Sequence, residues 1–295
     1  MNVLVPMTIV EADLLATSVP INTEAAWDSA TLYDPEDVAR VGSTLYEALV
    51  ANDGVDPETD DGTTWLKLGP TNVVRPFDGR IGTQCTLEDD ISYTIKPNKV
   101  IDGVAFFGVQ AAAVQVIVRD AENAVVYDRE VQIVDRTKAT NFFSWHFDPI
   151  EFSTEAIILG VPGYPSNTVE VIVKGEGERR VGQIVLGRNE NLGTTIVGTV
   201  VGFEDFSRKE RDQFGNVSIV ERAFARTVDF QFAFSTDTAS RVMRIVTDLR
   251  ITPAVWFDGD EDSKLATTIF GFPVSFSPPL TTNVSYATLE IEGLV

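Results

Sequence analysis

The chain holds one cysteine and one histidine in 295 residues. Cys85 alone excludes an intrachain disulfide and any cysteine-based metal cage. His146 alone leaves no ordinary histidine-rich zinc site. No run reaches the ~18 apolar residues that a membrane span requires, so no membrane insertion is expected. The segment from Met1 to Pro20 lacks a basic n-region, and Glu11 and Asp13 interrupt its apolar stretch, so it does not read as a signal peptide. Positive charge is scarce as well. There are 23 Lys and Arg against 44 Asp and Glu, a formal charge of -21. Such a chain repels phosphate backbones, which argues against a nucleic-acid partner. The expectation is a soluble protein made in a reducing cytoplasm. The shortage of bases is greatest at the start. Residues 1–66 carry thirteen acids and only Arg40 as a base, a net -12, whereas the remaining 229 carry 31 acids and 22 bases, a net -9.

What is present is ordinary for a globular protein, with 44% hydrophobic residues and length enough for two or three units. Residues 1–26 alternate short apolar runs with Pro6, Pro20 and acids, the pattern of an extended arm or an edge strand. A run of about forty residues then begins at Trp27 and closes at Trp65 (residues 27–68 as a unit). From Gly69 to about Leu192, alternating segments follow one another. Ile91 to Ile95, Val114 to Val118, Val125 to Tyr127, Val131 to Val134, Val169 to Val173 and Gly182 to Leu186 each read as a strand, and turn residues separate them, as in an antiparallel sandwich. A third unit, 193–295, has strands on both sides of one helix near 238–250. Val242, Ile245, Val246 and Leu249 give that helix one apolar face, Asp237 or Ser240 can cap it, and Pro253 stops it. The fold class is therefore mainly β: a small three-stranded module, a jelly-roll sandwich, and a β-sandwich or barrel with one flanking helix.

Trp27, Tyr33, Tyr46 and Trp65 are the first candidate site. Three short strands bury too little surface unless large rings fill their centre, and the same rings standing flat would stack on sugar faces. Core is the ordinary fate of any single ring, and a sugar site needs at least one exposed. The second candidate is Ser207 to Asp212, a dense run of alternating charge. It reads either as a solvated hairpin tip or, through Arg208, Lys209 and Arg211, as a contact between subunits. The acidic groups Glu88-Asp89-Asp90 and Asp258 to Asp262 match no fixed calcium spacing and read as solvated turns. His146, in Trp145-His146-Phe147-Asp148, reads as a strand histidine with a satisfied hydrogen bond, since no nucleophile elbow accompanies it. Cys85 reads as a packed thiol near a strand start.

Three resemblances add to this reading. Leu32-Tyr33, Val38, Val41-Gly42, Leu45 to Leu49, Asp56-Pro57 and Trp65 resemble the small chitin-binding-type carbohydrate-binding modules, with Asp34-Pro35-Glu36-Asp37 where that family has Gly-Asp. Residues 69–192 resemble a galactose-binding-like jelly roll, a fold that often holds a structural calcium and sometimes binds glycans at one rim. No other cofactor is implied. Finally, Glu11 to Trp27, Leu68 to Asn72 with Phe77-Asp78-Gly79, and Val181 to Gly187 resemble, in order, a family of tailed-bacteriophage tail-associated virion proteins. The same holds for Asp205 to Lys209 with Phe214-Gly215-Asn216, for Thr252 to Trp256, and for Leu289 to Leu294.

That last resemblance implies a non-enzymatic component of the tail tip or hub, made in the host cytoplasm and located in the virion. Its C-terminal domain would dock to other phage tail proteins and to copies of itself in a symmetric ring. Its N-terminal modules would face host cell-surface glycans, with weak contacts multiplied by symmetry. Two rivals stand beside it. One is a purely architectural collar or adaptor, which requires all four rings to be buried. The other is a polysaccharide-active enzyme, which requires paired carboxylates in a cleft.

Overall fold

A computed structural model of the chain describes all residues except 22, 134–141, 148–151, 212, 216, 260–264, 280 and 295. The period-2 segments are strands, but Val125 to Tyr127 and Val131 to Val134 are not two. They belong to one strand, Val125–Gln132, because no turn residue breaks Asp128-Arg129-Glu130, and Val134 lies outside the described residues. Val114, Val116 and Val118 on Ala113–Arg119, Val169, Val171 and Val173 on Thr168–Lys174, and Ile91, Tyr93 and Ile95 all point inward. These strands lie side by side in a five-stranded antiparallel sheet with Val125–Gln132 at one edge and Leu14–Thr17 at the other. Facing it are Ile101–Phe107, Glu155–Gly163 and Gln183–Asn191 of a second sheet. Val104, Phe106, Ile158, Ile184 and Leu186 close the core between the layers. The result is the jelly-roll-like sandwich that the pattern predicts.

The second sheet does not stop at the sandwich. It runs on through Asn2–Pro6, Ala254–Phe257, Ile269–Phe276, Val284–Gly293 and Phe224–Ser235, and the last of these also pairs with Thr194–Thr195 and Val200–Asp205, ten antiparallel strands in all. The N-terminal segment is extended, as expected, and its Leu14–Thr17 is the edge strand just described, but Asn2–Pro6 is neither arm nor edge. Asn2–Pro6 lies between Gln183–Asn191 and Ala254–Phe257, with Val3 opposite both Glu190 and Trp256. Val3 and Leu4 face opposite sides of the sheet, and both are fully buried. A strand covered on both faces loses its polar alternation, so five residues of this kind cannot be told from an arm by pattern. Gly187 sits where two strands approach closely. A Cβ there would lie 2.3 Å from the Val5 carbonyl oxygen.

The long sheet curls strongly. Phe107 and Phe270 stack with centroids 5.6 Å apart, although their strands are four positions apart in the sheet. In a flat sheet that separation is roughly 19 Å at ~4.8 Å per strand. Leu4, Ala105, Val185, Val255 and Phe257 fill the concave face with them. On the convex side, beyond the sandwich, lies the helix Ala239–Asp248, whose Val242 and Val246 pack with Phe230, Phe232, Trp256 and Leu289. The helix follows a 3-10 turn, Thr236–Thr238, and has no side-chain cap at Thr238. It passes into a second such turn, Leu249–Ile251, ahead of Pro253. Arg241 ties it to the central strands by donating to the Asn191 carbonyl at 3.2 Å and by pairing with Glu190.

The remaining unit is small. Val38–Val41, Thr44–Ala48 and Trp65–Pro70 form a three-stranded antiparallel sheet, and Leu32–Tyr33 pairs with Asn52–Asp53.

Candidate functional site

Three of the four aromatic candidates are the core of that small unit. Tyr33, Tyr46 and Trp65 are buried with Ala39 and Ala48, and Trp27 packs half-buried against the same cluster. Tyr33 and Trp65 meet edge to face at 5.0 Å, the favoured arrangement of two ring quadrupoles. Trp65 Nε1 donates to the Val55 carbonyl at 2.9 Å, and the Tyr33 hydroxyl accepts from the Asp28 backbone N–H at 2.8 Å. The rings thus serve one another, and only Trp27 keeps part of a face towards solvent.

The acidic loop has a local role that sequence reasoning missed. Asp60 Oδ2 accepts from the backbone N–H of Gly62 at 2.9 Å, Thr64 at 3.1 Å and Trp65 at 2.9 Å. The bond from Trp65, with those from Thr64 and Gly62, holds the Asp60 carboxyl below the usual range. The run Asp60-Asp61-Gly62-Thr63-Thr64 is the visible signal, because Asp and Gly ahead of a strand are the residues that bond to their own backbone.

The second candidate run does form a hairpin. Arg208–Arg211 pairs with Val217–Val220 as a separate two-stranded ribbon, and all eight residues are exposed. Lys209 stands opposite Ile219 and Arg211 opposite Val217 on one face, and Arg208 stands opposite Val220 on the other. Arg208 pairs with Glu210, and Lys209 Nζ reaches Asp205 Oδ2 at 2.7 Å. Bonds from Lys209 and Ser207 hold the Asp205 carboxyl well below its ordinary range. Apolar side chains crowd the same region in solvent: Phe203 is 71% exposed and Ile219 62%, with Phe206, Val217, Val220 and Phe224 also exposed.

A cleft of about 390 Å³ lies where the two ends of the curled sheet approach. Phe107, Phe270, Phe224, Thr154 and Gln84 line it, and Glu155 and Arg226 form an ion pair across it. Their strands are seven positions apart in the sheet, so this pair marks the near-closure of a barrel. Burial pushes the Glu155 carboxyl up to about 7, against the opposing pull of the Arg226 guanidinium and its hydrogen bond. Among the described residues lining this cleft, Glu155 is the only one with a carboxylate side chain, so they supply no glycosidase-type pair of Asp or Glu. A larger cleft, about 610 Å³, separates Lys99, Val100 and Pro165 from Ile245, Asp248 and Leu249 of the helix region.

Among the described residues, no group of three or more His, Cys, Asp or Glu side chains is placed to hold a metal. At Glu88-Asp89-Asp90 a base takes the position a cation would have: Arg179 donates to the Glu88 carbonyl and approaches Asp90 at 3.1 Å. Asp260, Glu261 and Asp262 lie outside the described residues, and Asp258 is 4.0 Å from the Met1 ammonium. His146 is not on a strand. It lies exposed on the short helix Phe142–Phe147, its ring stacked on Phe142 at 6.0 Å, because residues four apart share a helix face. Cys85 is buried at the first residue of the strand Cys85–Leu87, with Sγ 3.5 Å from the Tyr93 hydroxyl. Burial pushes its thiol up, so it is a packed, unreactive group.

No protein-family model matches the sequence, and no curated protein matches it either. Among solved structures, a mutant lectin binding domain of Lectinolysin complexed with Lewis b is similar over 39% of this chain and 82% of its own, at 11% identity and a TM-score of 0.27. The F5/8 type C domain of a Bacteroides fragilis protein is similar over 40% of this chain and 82% of its own, at 12% identity and a TM-score of 0.27. Likenesses of this size carry no argument about what the chain does.

Proposed function

We propose that this chain is a non-catalytic subunit of a bacteriophage tail, located in the virion, that assembles with copies of itself and with other tail proteins. The observation that carries the assembly reading is the ribbon. A two-stranded ribbon with both faces in solvent is marginal by itself, and apolar side chains clustered on a protrusion mark a surface that a partner covers. The continuous sheet supports the same reading, because a strand shared between sandwich and C-terminal unit makes a stiff body able to hold neighbours in fixed register. The phage setting rests on the sequence motifs alone.

The burial of Tyr33, Tyr46 and Trp65 takes three rings away from an adhesin, and the half-exposed Trp27 leaves the all-buried condition of a pure adaptor unmet. Glycan contact is a second reading, carried by the half-exposed Trp27. Light scattering and negative-stain microscopy of the purified chain test the first: a discrete oligomer supports it, and a monomer at every concentration overturns it. A glycan array with and without Ca²⁺, run on the protein and on Trp27→Ala, tests the second. Loss of signal in the variant supports it, and an empty array removes it.

A further inference from the structure

We infer that a third cleft, beside the end of the first strand, binds a prolyl segment of a partner polypeptide: an apolar chain that offers carbonyl acceptors and no N–H. The site is separate from the exposed ribbon and does not depend on self-assembly.

The cleft measures about 410 Å³ and opens where segments distant in sequence meet: residues 6–9, 77–80, 183–185 and 252–253, with Phe270 and Phe272. That volume is within the ordinary range of ligand pockets. Its walls are rings and aliphatic side chains. Phe77 closes the 3-10 turn Arg75–Phe77, where its ring meets Tyr93 edge to face at 5.1 Å, and it stays partly exposed, as does Phe272. Met7 and Pro253 complete the wall, and a Cβ on Gly79 would lie only 3.8 Å from the Pro253 ring.

The polar groups of this lining are of one kind. Gln183 is 6% exposed, and its Oε1 accepts from the Gly79 backbone N–H at 2.9 Å. That bond fixes which end of the amide is which. Nε2 has one partner among the described residues, the Ile184 carbonyl at 3.3 Å, so its second N–H is unused. Asp78 is already engaged: Oδ1 accepts from the Arg80 backbone N–H at 2.8 Å and Oδ2 from the Thr83 hydroxyl at 2.5 Å. The Arg80 guanidinium and the hydroxyls of Thr8 and Thr252 have no partner among the described residues. Acceptors are therefore occupied while donors are free.

This inventory selects the ligand. A sugar brings a donor with every hydroxyl, and an ordinary peptide brings one with every residue. A donor buried here without a partner lowers affinity about tenfold or more. A carboxylate only accepts, but it would meet Asp78 in the same lining and a chain of formal charge -21. A prolyl chain avoids both costs. Its tertiary amides have no N–H, its rings pack on aromatic walls, and its stiffness leaves little entropy to lose on binding.

The test titrates probes into the isotope-labelled full chain, followed by heteronuclear NMR. Acetyl-triproline methyl ester is expected to shift the side-chain amide of Gln183 and the backbone signals of Gly79 and Phe272. Acetyl-trialanine methyl ester should bind about tenfold more weakly or worse, and its N-methylated analogue, which lacks the N–H groups, should regain most of that loss. Thr252→Val and Arg80→Met, at exposed positions that leave the circular dichroism spectrum unchanged, should each weaken the prolyl probe roughly threefold to tenfold. Equal binding of the proline and alanine esters would overturn the inference. So would an N-methylated analogue no better than trialanine, tighter binding of N-acetylglucosamine or benzoate, or shifts confined to another surface. Absence of binding by the prolyl probe removes the site and leaves the assembly reading untouched.

Discussion

Raising the pH from 5 to 8 should weaken the native fold through one side chain. Burial holds the Glu155 carboxyl at about 7, above its ordinary 4.5, and Arg226 beside it only partly offsets the loss of water. Between those two values the native state keeps a proton that the unfolded chain has released. The stability from this proton is fully present below 4.5 and is lost as the pH rises through 7. At about 1.4 kcal/mol per pH unit the ceiling is about 3 kcal/mol, and the span from pH 5 to 8 captures about 2–3 kcal/mol of it. The side chain is 16% exposed, so solvent screens little of this. Asp60 and Asp205, held below the usual range, change their contribution only at lower pH and leave the window untouched. Glu155→Gln keeps the shape and a hydrogen-bond acceptor for Arg226 but cannot titrate. Urea unfolding of both proteins at pH 5 and pH 8, followed by tryptophan fluorescence, isolates the group. The variant should lose about 2–3 kcal/mol less than the parent over that change. Equal losses in the two proteins would refute the reasoning, as would a parent more stable at pH 8.

Other outcomes follow from packing. Leu4→Ala opens a cavity in the concave core and should cost about 2–5 kcal/mol; because its strand belongs to both halves, far-UV and near-UV signals should fall in one transition. Gly187→Ala places a methyl against the Val5 carbonyl and should cost about 1–3 kcal/mol in the same assay, whereas a neutral result would contradict the close approach. Trp65→Ala removes the centre of the small module and should cost that module about 3–5 kcal/mol, read as faster proteolysis confined to residues 27–68.

Period-2 burial made the sandwich legible, since Val114, Val116 and Val118 need only one covered face to declare themselves. The i, i+3, i+4, i+7 spacing did the same for the helix, whose partners are all of one kind. What pattern could not reveal was pairing. Asn2–Pro6 carries no mark that its neighbours are Gln183–Asn191 and Ala254–Phe257, because hydrogen-bond ladders are indifferent to side chains. Glu155 and Arg226 are ordinary charges until the curl of the sheet brings them together. The aromatic run showed that rings were needed but not which way they faced, since a small β unit and a sugar site call on the same residue types. At Phe142–Phe147, closely spaced large apolar residues imitated a strand around His146, although the segment turns as a helix.

The buried N-terminal strand has a consequence in time. Val3 cannot complete its ladders until Glu190 and Trp256 are both present, so neither the curl nor the concave core can form from local contacts. Closing loops of that length costs entropy before any contact repays it, which makes slow folding through a partly assembled intermediate the expected route. In that intermediate Gln183–Asn191 and Ala254–Phe257 both present open edges flanking an empty slot. A strand from another chain could enter that slot, so the feature that stiffens the finished subunit is also where a crowded folding mixture would exchange strands between molecules.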